Sequence, residues 1–323
     1  MKMHCESLTA ARPSRIARAS CAALLGLAMV LGVSTATPGI AAARRNHRVK
    51  NNFAGNGRVS PVASPNVTSC PNPITACGCT ISSGGLYTLG NSLTQTVSGD
   101  CIDVTGSQVS IYMAGFDITA SGAGAGNGTG IFFQTGSSQG ILEGGNGTIS
   151  GFADGVEVSG SEITGENFNM KGNALSGLYL SSASNALFSN MFASGSPFGA
   201  ELACTNCSVS FIEATGNSSY GVLVDGSTNA SVSSFDANGN TKIGVYVIDS
   251  VNTTVFNGVA GAVTAQQYGI YADFENTNVQ IFDNSASGNS VDDALDNGNF
   301  GAGCGSLWFG NTFGTTSPAS CIH

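Results

Sequence analysis

The sequence predicts an all-β solenoid, a parallel β-helix of about nine coils stapled by disulfides at its ends, and three observations predict it. A four-residue phrase, glycine followed by apolar, outward and apolar residues, recurs between Gly130 and Gly269 at intervals of 25, 22, 22, 22, 23 and 25 residues. Between copies, apolar residues alternate in short bursts such as Val109-Ser110-Ile111, Val209-Ser210-Phe211 and Val279-Gln280-Ile281. That is strand periodicity. Asn185, Asn206, Asn229, Asn252 and Asn276 each stand three residues before an apolar residue in successive periods. A fixed period of this length marks stacked units that bury a continuous core only together.

The chain opens differently. Arg12, Arg15 and Arg18 precede an apolar run from Cys21 to Val33, and Ala41-Ala42-Ala43 offers a small-residue cleavage site. Residues 1–43 therefore read as a secretory signal peptide, its apolar run shorter than the ~20 residues of a membrane span. The expected location is outside the cell or on its surface, with no stable span after cleavage. Residues 44–69 place Arg44, Arg45, Arg48, Lys50 and Arg58 among Asn, Ser, Gly and Pro, the composition of a basic disordered linker. Residues 70–99 are expected to cap the N-terminal end, 100–300 to form the coils and 301–323 to cap the C-terminal end.

Eight cysteines follow the expected cleavage site: Cys70, Cys77, Cys79, Cys101, Cys204, Cys207, Cys304 and Cys321. An even number in an exported chain suggests disulfides. Proximity pairs Cys304 with Cys321 and places two bridges among Cys70, Cys77, Cys79 and Cys101. Cys204-x-x-Cys207 falls in a turn between strands. It reads as a local disulfide or a buried thiol pair, because zinc needs two further ligands and thioredoxin-like chemistry a helix N-terminus.

The phrase itself reads Gly130-Ile131-Phe132-Phe133, Gly155-Val156-Glu157-Val158, Gly177-Leu178-Tyr179-Leu180, Gly199-Ala200-Glu201-Leu202, Gly221-Val222-Leu223-Val224, Gly244-Val245-Tyr246-Val247 and Gly269-Ile270-Tyr271-Ala272, with Cys101-Ile102-Asp103-Val104 an earlier copy. Gly, Ser, Asn, Thr and Asp between the copies supply turns, and no sustained helical stripe appears. The five asparagines are expected to stack as a buried ladder of side-chain amides. With these features, residues 80 to 300 resemble the right-handed parallel β-helix family, the pectin-lyase-like superfold with its NosD-like and other secreted repeat proteins. Leu307-Trp308-Phe309-Gly310-Asn311-Thr312-Phe313 resembles the closing segment of such proteins, so Trp308 and Phe313 are expected to seal the last coil. The resemblance implies the fold. It does not imply one activity, since this superfold hosts lyases, hydrolases, epimerases, adhesins and binding proteins.

From residue 59 onward, nineteen acidic residues face only Lys171 and Lys242. An acidic body disfavours nucleic acid, whose phosphates need a basic surface. No cofactor is implied. Ca²⁺ has one candidate site, Asp292, Asp293 and Asp296, against which stands a capping turn rich in Asp and Asn. Histidine occurs only as His4, His47 and His323, and arginine is absent after Arg58. Serine–histidine and cysteine–histidine chemistry therefore has no residues in the coils. The Tyr, His, Asp and Arg group implied for uronate epimerases, the basic residue of pectate lyases and the paired signatures of polygalacturonases are likewise missing.

The outward position of the phrase runs Asp103, Phe132, Glu157, Tyr179, Glu201, Leu223, Tyr246 and Tyr271. Tyr179, Tyr246 and Tyr271 can stack on sugar rings while Glu157 and Glu201 accept hydroxyl hydrogen bonds. The expected function is non-catalytic binding of extracellular polysaccharide or a cell-surface glycan. Two alternatives remain. Glu157 and Glu201 could serve a glycoside hydrolase or lyase in the groove, or the row could be plain packing in a structural surface or adhesion module. Oligomeric state has no signature in the sequence.

Overall fold

The computed structural model of the protein describes residues 68–261, 266–298 and 304–322. The expected signal peptide and all but the last two residues of the linker lie outside the described residues. Each copy of the phrase is one strand of a coil. Thr129–Phe133, Asp154–Val158, Ser176–Ser184, Phe198–Thr205, Tyr220–Asp225, Ile243–Ile248 and Tyr268–Ala272 are consecutive neighbours in a twelve-stranded sheet. The alternating bursts form a second sheet of thirteen strands. Neighbouring strands are parallel in both, and the chain winds between them as a right-handed β-solenoid of about 10 turns. The apolar residues of the phrase, among them Val156, Leu178, Leu202, Val222 and Val245, are fully buried between the sheets.

The glycine of the phrase has a steric cause. A Cβ on Gly199 would lie 2.5 Å from the carbonyl oxygen of Gly221 and 2.9 Å from Asn217 Nδ2, and one on Gly177 would lie 2.6 Å from the carbonyl oxygen of Gly199. Successive coils touch backbone to backbone at this position, and only glycine admits the approach. The pairing register skips it: Ser176 pairs with Phe198 and Leu178 with Ala200, leaving Gly177 and Gly199 between. The residue before the glycine is thereby released from strict alternation. Tyr220 and Ile243 pack in a small cluster with Leu223, apart from the main core.

Both expected caps contribute coils. Cys79–Ile81, Gly85–Thr88 and Leu93–Gln95 pair in register with Ile102–Val104, Val109–Tyr112 and Ile118–Ala120. Thr68 and Ser69, expected in the linker, pair with Cys79 and Thr80. At the far end Ser306–Phe309 pairs with Val279–Phe282, and Thr316–Ser317 continues the first sheet. Trp308 is buried, its ring centroid 5.8 Å from that of Phe313, and its Nε1 donates to Asp296 Oδ2 at 2.7 Å. The closing segment therefore covers the core by joining the last coil.

Disulfides join Cys70 to Cys79, Cys77 to Cys101 and Cys304 to Cys321. Each closes a short loop, worth about 2–4 kcal/mol. Cys204 and Cys207 are a buried pair of free thiols. Of the two readings for this pair, the structure takes the unbridged one. The Cys204 thiol is pushed up by its hydrogen bond to Cys207 and by burial.

The asparagine ladder is present with one rung changed. The Nδ2 groups of Asn206, Asn229 and Asn252 donate to the Oδ1 atoms of Asn185, Asn206 and Asn229, and the next donor is Asn278, not Asn276. Val255 pairs with Ile281, two residues beyond Val279. A slip of two keeps every side chain on its own face, so the apolar pattern alone cannot detect it. Nor is the ladder buried: Asn185, Asn206, Asn229 and Asn252 are exposed, each at φ of 52–56°, the left-handed region where asparagine is favoured. Asn276 itself is buried elsewhere, accepting from the Ser250 N–H.

A second ladder runs inside. Asn173, Ser196, Asn217, Asn240 and Gln266 are buried in successive coils. Side-chain oxygens of Ser196, Asn217, Asn240 and Gln266 accept the backbone N–H of Asn173, Ser196, Asn217 and Asn240 in turn. Asn217 Nδ2 and Asn240 Nδ2 donate to the carbonyls of Ala193 and Ala214. These amides satisfy the turn backbone that leaves the sheet, which would otherwise be buried without partners.

Candidate functional site

The outer face of the first sheet carries two adjacent rows. The row read from sequence is continuous in the register: Asp103 pairs with Phe132, Phe132 with Glu157, Glu157 with Tyr179, Tyr179 with Glu201, Glu201 with Leu223, Leu223 with Tyr246 and Tyr246 with Tyr271. The other row is the residue before each copy of the phrase, whose first residue is glycine in all but the end coils. Thr129, Asp154, Ser176, Phe198, Tyr220, Ile243, Tyr268 and Asp292 pair in sequence. Strict alternation assigns this row to the core, which is why sequence reading missed it. The signal was its composition, since three carboxylates, counting Asp100, and two tyrosines are poor core residues.

In the N-terminal half the two rows hold each other. Thr129 Oγ1 donates to Glu157 Oε2 at 3.3 Å, and Ser176 Oγ donates to Glu201 Oε2 at 3.1 Å. Gln134 Nε2 donates to Asp103 Oδ1 at 3.1 Å. Asp100 and Asp154 repeat one motif, each accepting the backbone N–H of the residue before the next coil's glycine, Thr129 at 2.6 Å and Ser176 at 3.1 Å. Burial and the charge of Asp103 push the Asp100 carboxyl up to about 7, and burial also raises Asp103. Glu157 and Glu201 lie one strand either side of Tyr179, hence about 9–10 Å apart.

The C-terminal half is aromatic. Ring centroids of Phe198 and Tyr220 are 5.5 Å apart, Tyr220 and Tyr246 5.3 Å, Tyr246 and Tyr271 5.1 Å, and Tyr268 and Tyr271 5.3 Å. Lys242 Nζ lies 5.9 Å from the centre of the Tyr220 ring. The Tyr246 hydroxyl donates to Asp273 Oδ2 at 2.5 Å, and burial with that bond raises the Tyr246 phenol above its ordinary value. Asp249 is pushed up to about 6 by burial and by the nearby charges of Glu275 and Asp225. Tyr246 and Tyr271, read from sequence as ligand rings, thus belong to a half-buried cluster with tied polar tips, whereas Tyr179 stands between two carboxylates.

The Ca²⁺ candidates do not point their carboxylates at one another. Asp293 accepts from the Asn289 and Thr315 N–H groups; burial raises it, but these bonds outweigh burial and hold it below the carboxylate range. Asp296 accepts from the N–H groups of Gly298, Gly305 and Ser306 and from Trp308. Burial raises Asp292. Among the described residues no group of three or more His, Cys, Asp or Glu is arranged to hold a metal ion, and no helix is long and apolar enough to cross a membrane.

Comparison with known proteins agrees with this architecture. Residues 154–314 match the family model described as right handed beta helix region. The A-module of Azotobacter vinelandii mannuronan C-5 epimerase AlgE6 is similar over 78% of this chain and 80% of its own, at 15% identity and a TM-score of 0.55. A single-substitution mutant of the periplasmic alginate epimerase AlgG is similar over 75% of this chain and 74% of its own, at 12% identity and a TM-score of 0.52. The active domain of tailspike protein 2 from bacteriophage CBA120 aligns with 75% of this chain at 13% identity and a TM-score of 0.49, and the chain spans 42% of that protein's length. No curated protein sequence matches the chain. The chain folds as a right-handed parallel β-helix, and the part of it that matches the family model lies within the coils. At these identities the likeness to solved structures concerns the fold.

Proposed function

We propose that the protein is an exported, non-catalytic polysaccharide-binding β-helix whose ligand lies along the outer face of the first sheet, centred on Glu157, Tyr179 and Glu201. The observation that carries this reading is the unbroken register that sets those three side chains on adjacent strands. A ring between two carboxylates can stack on the apolar face of a sugar while the carboxylates accept its hydroxyls. Thr129 and Ser176 fix the two carboxylates before any ligand arrives, which lowers the entropy lost on binding. The disulfides at both ends fit an oxidising compartment, in line with the expected signal peptide. The fold is shared with epimerases named for the polysaccharides alginate and mannuronan, which supports a polymeric ligand.

The test is a screen of neutral and acidic polysaccharides, with and without Ca²⁺, for retention by the protein and for release of reducing or unsaturated ends. Retention without release supports binding. Release of ends would replace it with the second reading, a lyase if the ends are unsaturated or a hydrolase if they are reducing ends alone, the latter favoured by the separation of Glu157 and Glu201, which lies near the upper limit of the ~6.5–9.5 Å seen for inverting glycosidases. In that case Glu157→Gln or Glu201→Gln abolishes turnover. Neither retention nor release leaves a structural surface module.

A further inference from the structure

We infer that the C-terminal end of the solenoid is a self-association surface, and that its partner is a second copy of this chain, joined end to end about a twofold axis. Each end of a β-helix leaves strand edges whose N–H and C=O groups have no next coil to bond. At the N-terminal end the edge of the second sheet is closed. Asn72 Nδ2 donates to the Leu86 carbonyl at 2.7 Å, Asn72 Oδ1 accepts from the Thr88 N–H at 3.2 Å, and the Ile74 N–H donates to the Thr88 carbonyl at 2.7 Å. Asn72 and Ile74 thus serve Gly85–Thr88 as a preceding coil would.

The C-terminal end differs. Ser306–Phe309 is the last strand of the second sheet, with Val279–Phe282 on one side and, among the described residues, no strand on the other. It contains no charged residue and no proline, the usual protections of an edge, whereas the last strand of the first sheet, Thr316–Ser317, is two residues long and runs into Pro318. Leu307 and Phe309 alternate with buried residues on this strand and are 57% and 42% exposed. Phe309 also ends a stack. The rings of Phe256, Phe282 and Phe309 follow one another at 4.9 Å and an interplanar angle of 4°, and among the described residues no ring follows the last.

Charge identifies the partner. Residues 44–323 hold nineteen acidic residues and, counting the basic linker, seven lysines and arginines, so two copies repel over most of their surface. Residues 297–323 contain no Asp, Glu, Lys or Arg. The end that presents an apolar edge is therefore also the place where two acidic bodies approach with least repulsion. A strand edge pairs with its own copy in the antiparallel sense, which is the relation a twofold axis imposes. The closed N-terminal edge offers no acceptor for head-to-tail growth, so association stops at two copies.

Sedimentation equilibrium of the whole protein across the micromolar range, at low and at high salt, tests this. A monomer–dimer equilibrium is expected, with a Kd on the order of 10–100 µM because the end of a solenoid is smaller than a standard interface. Salt should tighten it by screening the two bodies from each other, whereas pairing of the basic linker with an acidic body would weaken in salt. Leu307→Glu acts twice across the axis and should weaken the dimer about tenfold or more. Leu86→Glu, at the N-terminal end of the same sheet and 61% exposed, should leave it unchanged, and both variants should keep the melting temperature of the monomer because both leucines face solvent. A monomer at every concentration, growth beyond two copies, weakening by salt, or loss of association in Leu86→Glu instead of Leu307→Glu overturns the inference.

Discussion

The outer face of the first sheet changes character halfway along the solenoid, although its backbone does not. From Ile102–Val104 to Phe198–Thr205 its rows carry Asp100, Asp103, Asp154, Glu157 and Glu201; from Tyr220–Asp225 to Tyr268–Ala272 they carry Tyr220, Leu223, Ile243, Tyr246, Tyr268 and Tyr271. The aromatic half is self-sufficient. Its rings pack on each other at 5.1–5.3 Å, with Phe198 of the neighbouring strand 5.5 Å from Tyr220, and form a small second core on the outside of the helix. In the acidic half the Thr129 and Ser176 hydroxyls donate to Glu157 and Glu201, and burial with the charge of Asp103 raises Asp100 to about 7. Regions that store unfavourable electrostatics in a fixed geometry are candidates for binding, and regions that satisfy themselves are candidates for stability.

That contrast can be broken by substitution. The largest expected effect is in the aromatic half, where Tyr220→Ala removes a ring only 8% exposed and should cost about 3 kcal/mol in urea unfolding without weakening retention of polysaccharide. A loss of retention with unchanged stability would reverse the roles of the two halves. Next comes pH. The folded Asp100 carboxyl sits near 7, above its ordinary 3.8, so its stabilising contribution is complete below the ordinary value and is lost as pH rises through about 7. The melting temperature should therefore fall between pH 5 and pH 8, and Asp100→Asn should flatten that fall, by on the order of 2 kcal/mol. A profile identical to wild type would remove the argument for electrostatic strain.

Smaller effects sharpen the comparison. Tyr179→Ala should weaken retention about three- to tenfold, the worth of one stacking contact, and leave the melting temperature nearly unchanged. Removing an exposed ladder amide with Asn252→Ala, which breaks the bonds to Asn229 and Asn278, should cost about 1 kcal/mol and leave retention untouched, because that ladder lies off both halves of the face.

Much of this architecture was legible in the chain. The phrase glycines announced the period because a backbone contact between coils favours glycine there, so the signal repeats from Gly130 to Gly269 and gives way only at the ends, to Cys101 and Asp293. The Asp103-to-Tyr271 row followed directly from the phrase. The last rung of the outer ladder did not, because Asn276 and Asn278 differ by two residues and both registers keep Val279 and Ile281 inward. The inner ladder was hidden by its changing residue types, Asn173, Ser196, Asn217, Asn240 and Gln266, at separations of 23, 21, 23 and 26. Tyr220 and its row were hidden for a different reason: alternation points them inward, and the irregularity at the glycine turns them out.

The most direct test of the binding face is carboxylate footprinting, in which carbodiimide-driven labelling of Asp and Glu is measured by mass spectrometry with and without the most strongly retained polysaccharide. The account predicts protection of Glu157 and Glu201, with Glu166 and Glu213 on the second sheet labelled as before. Protection of Glu166 and Glu213 instead, or of no carboxylate at all, would contradict it.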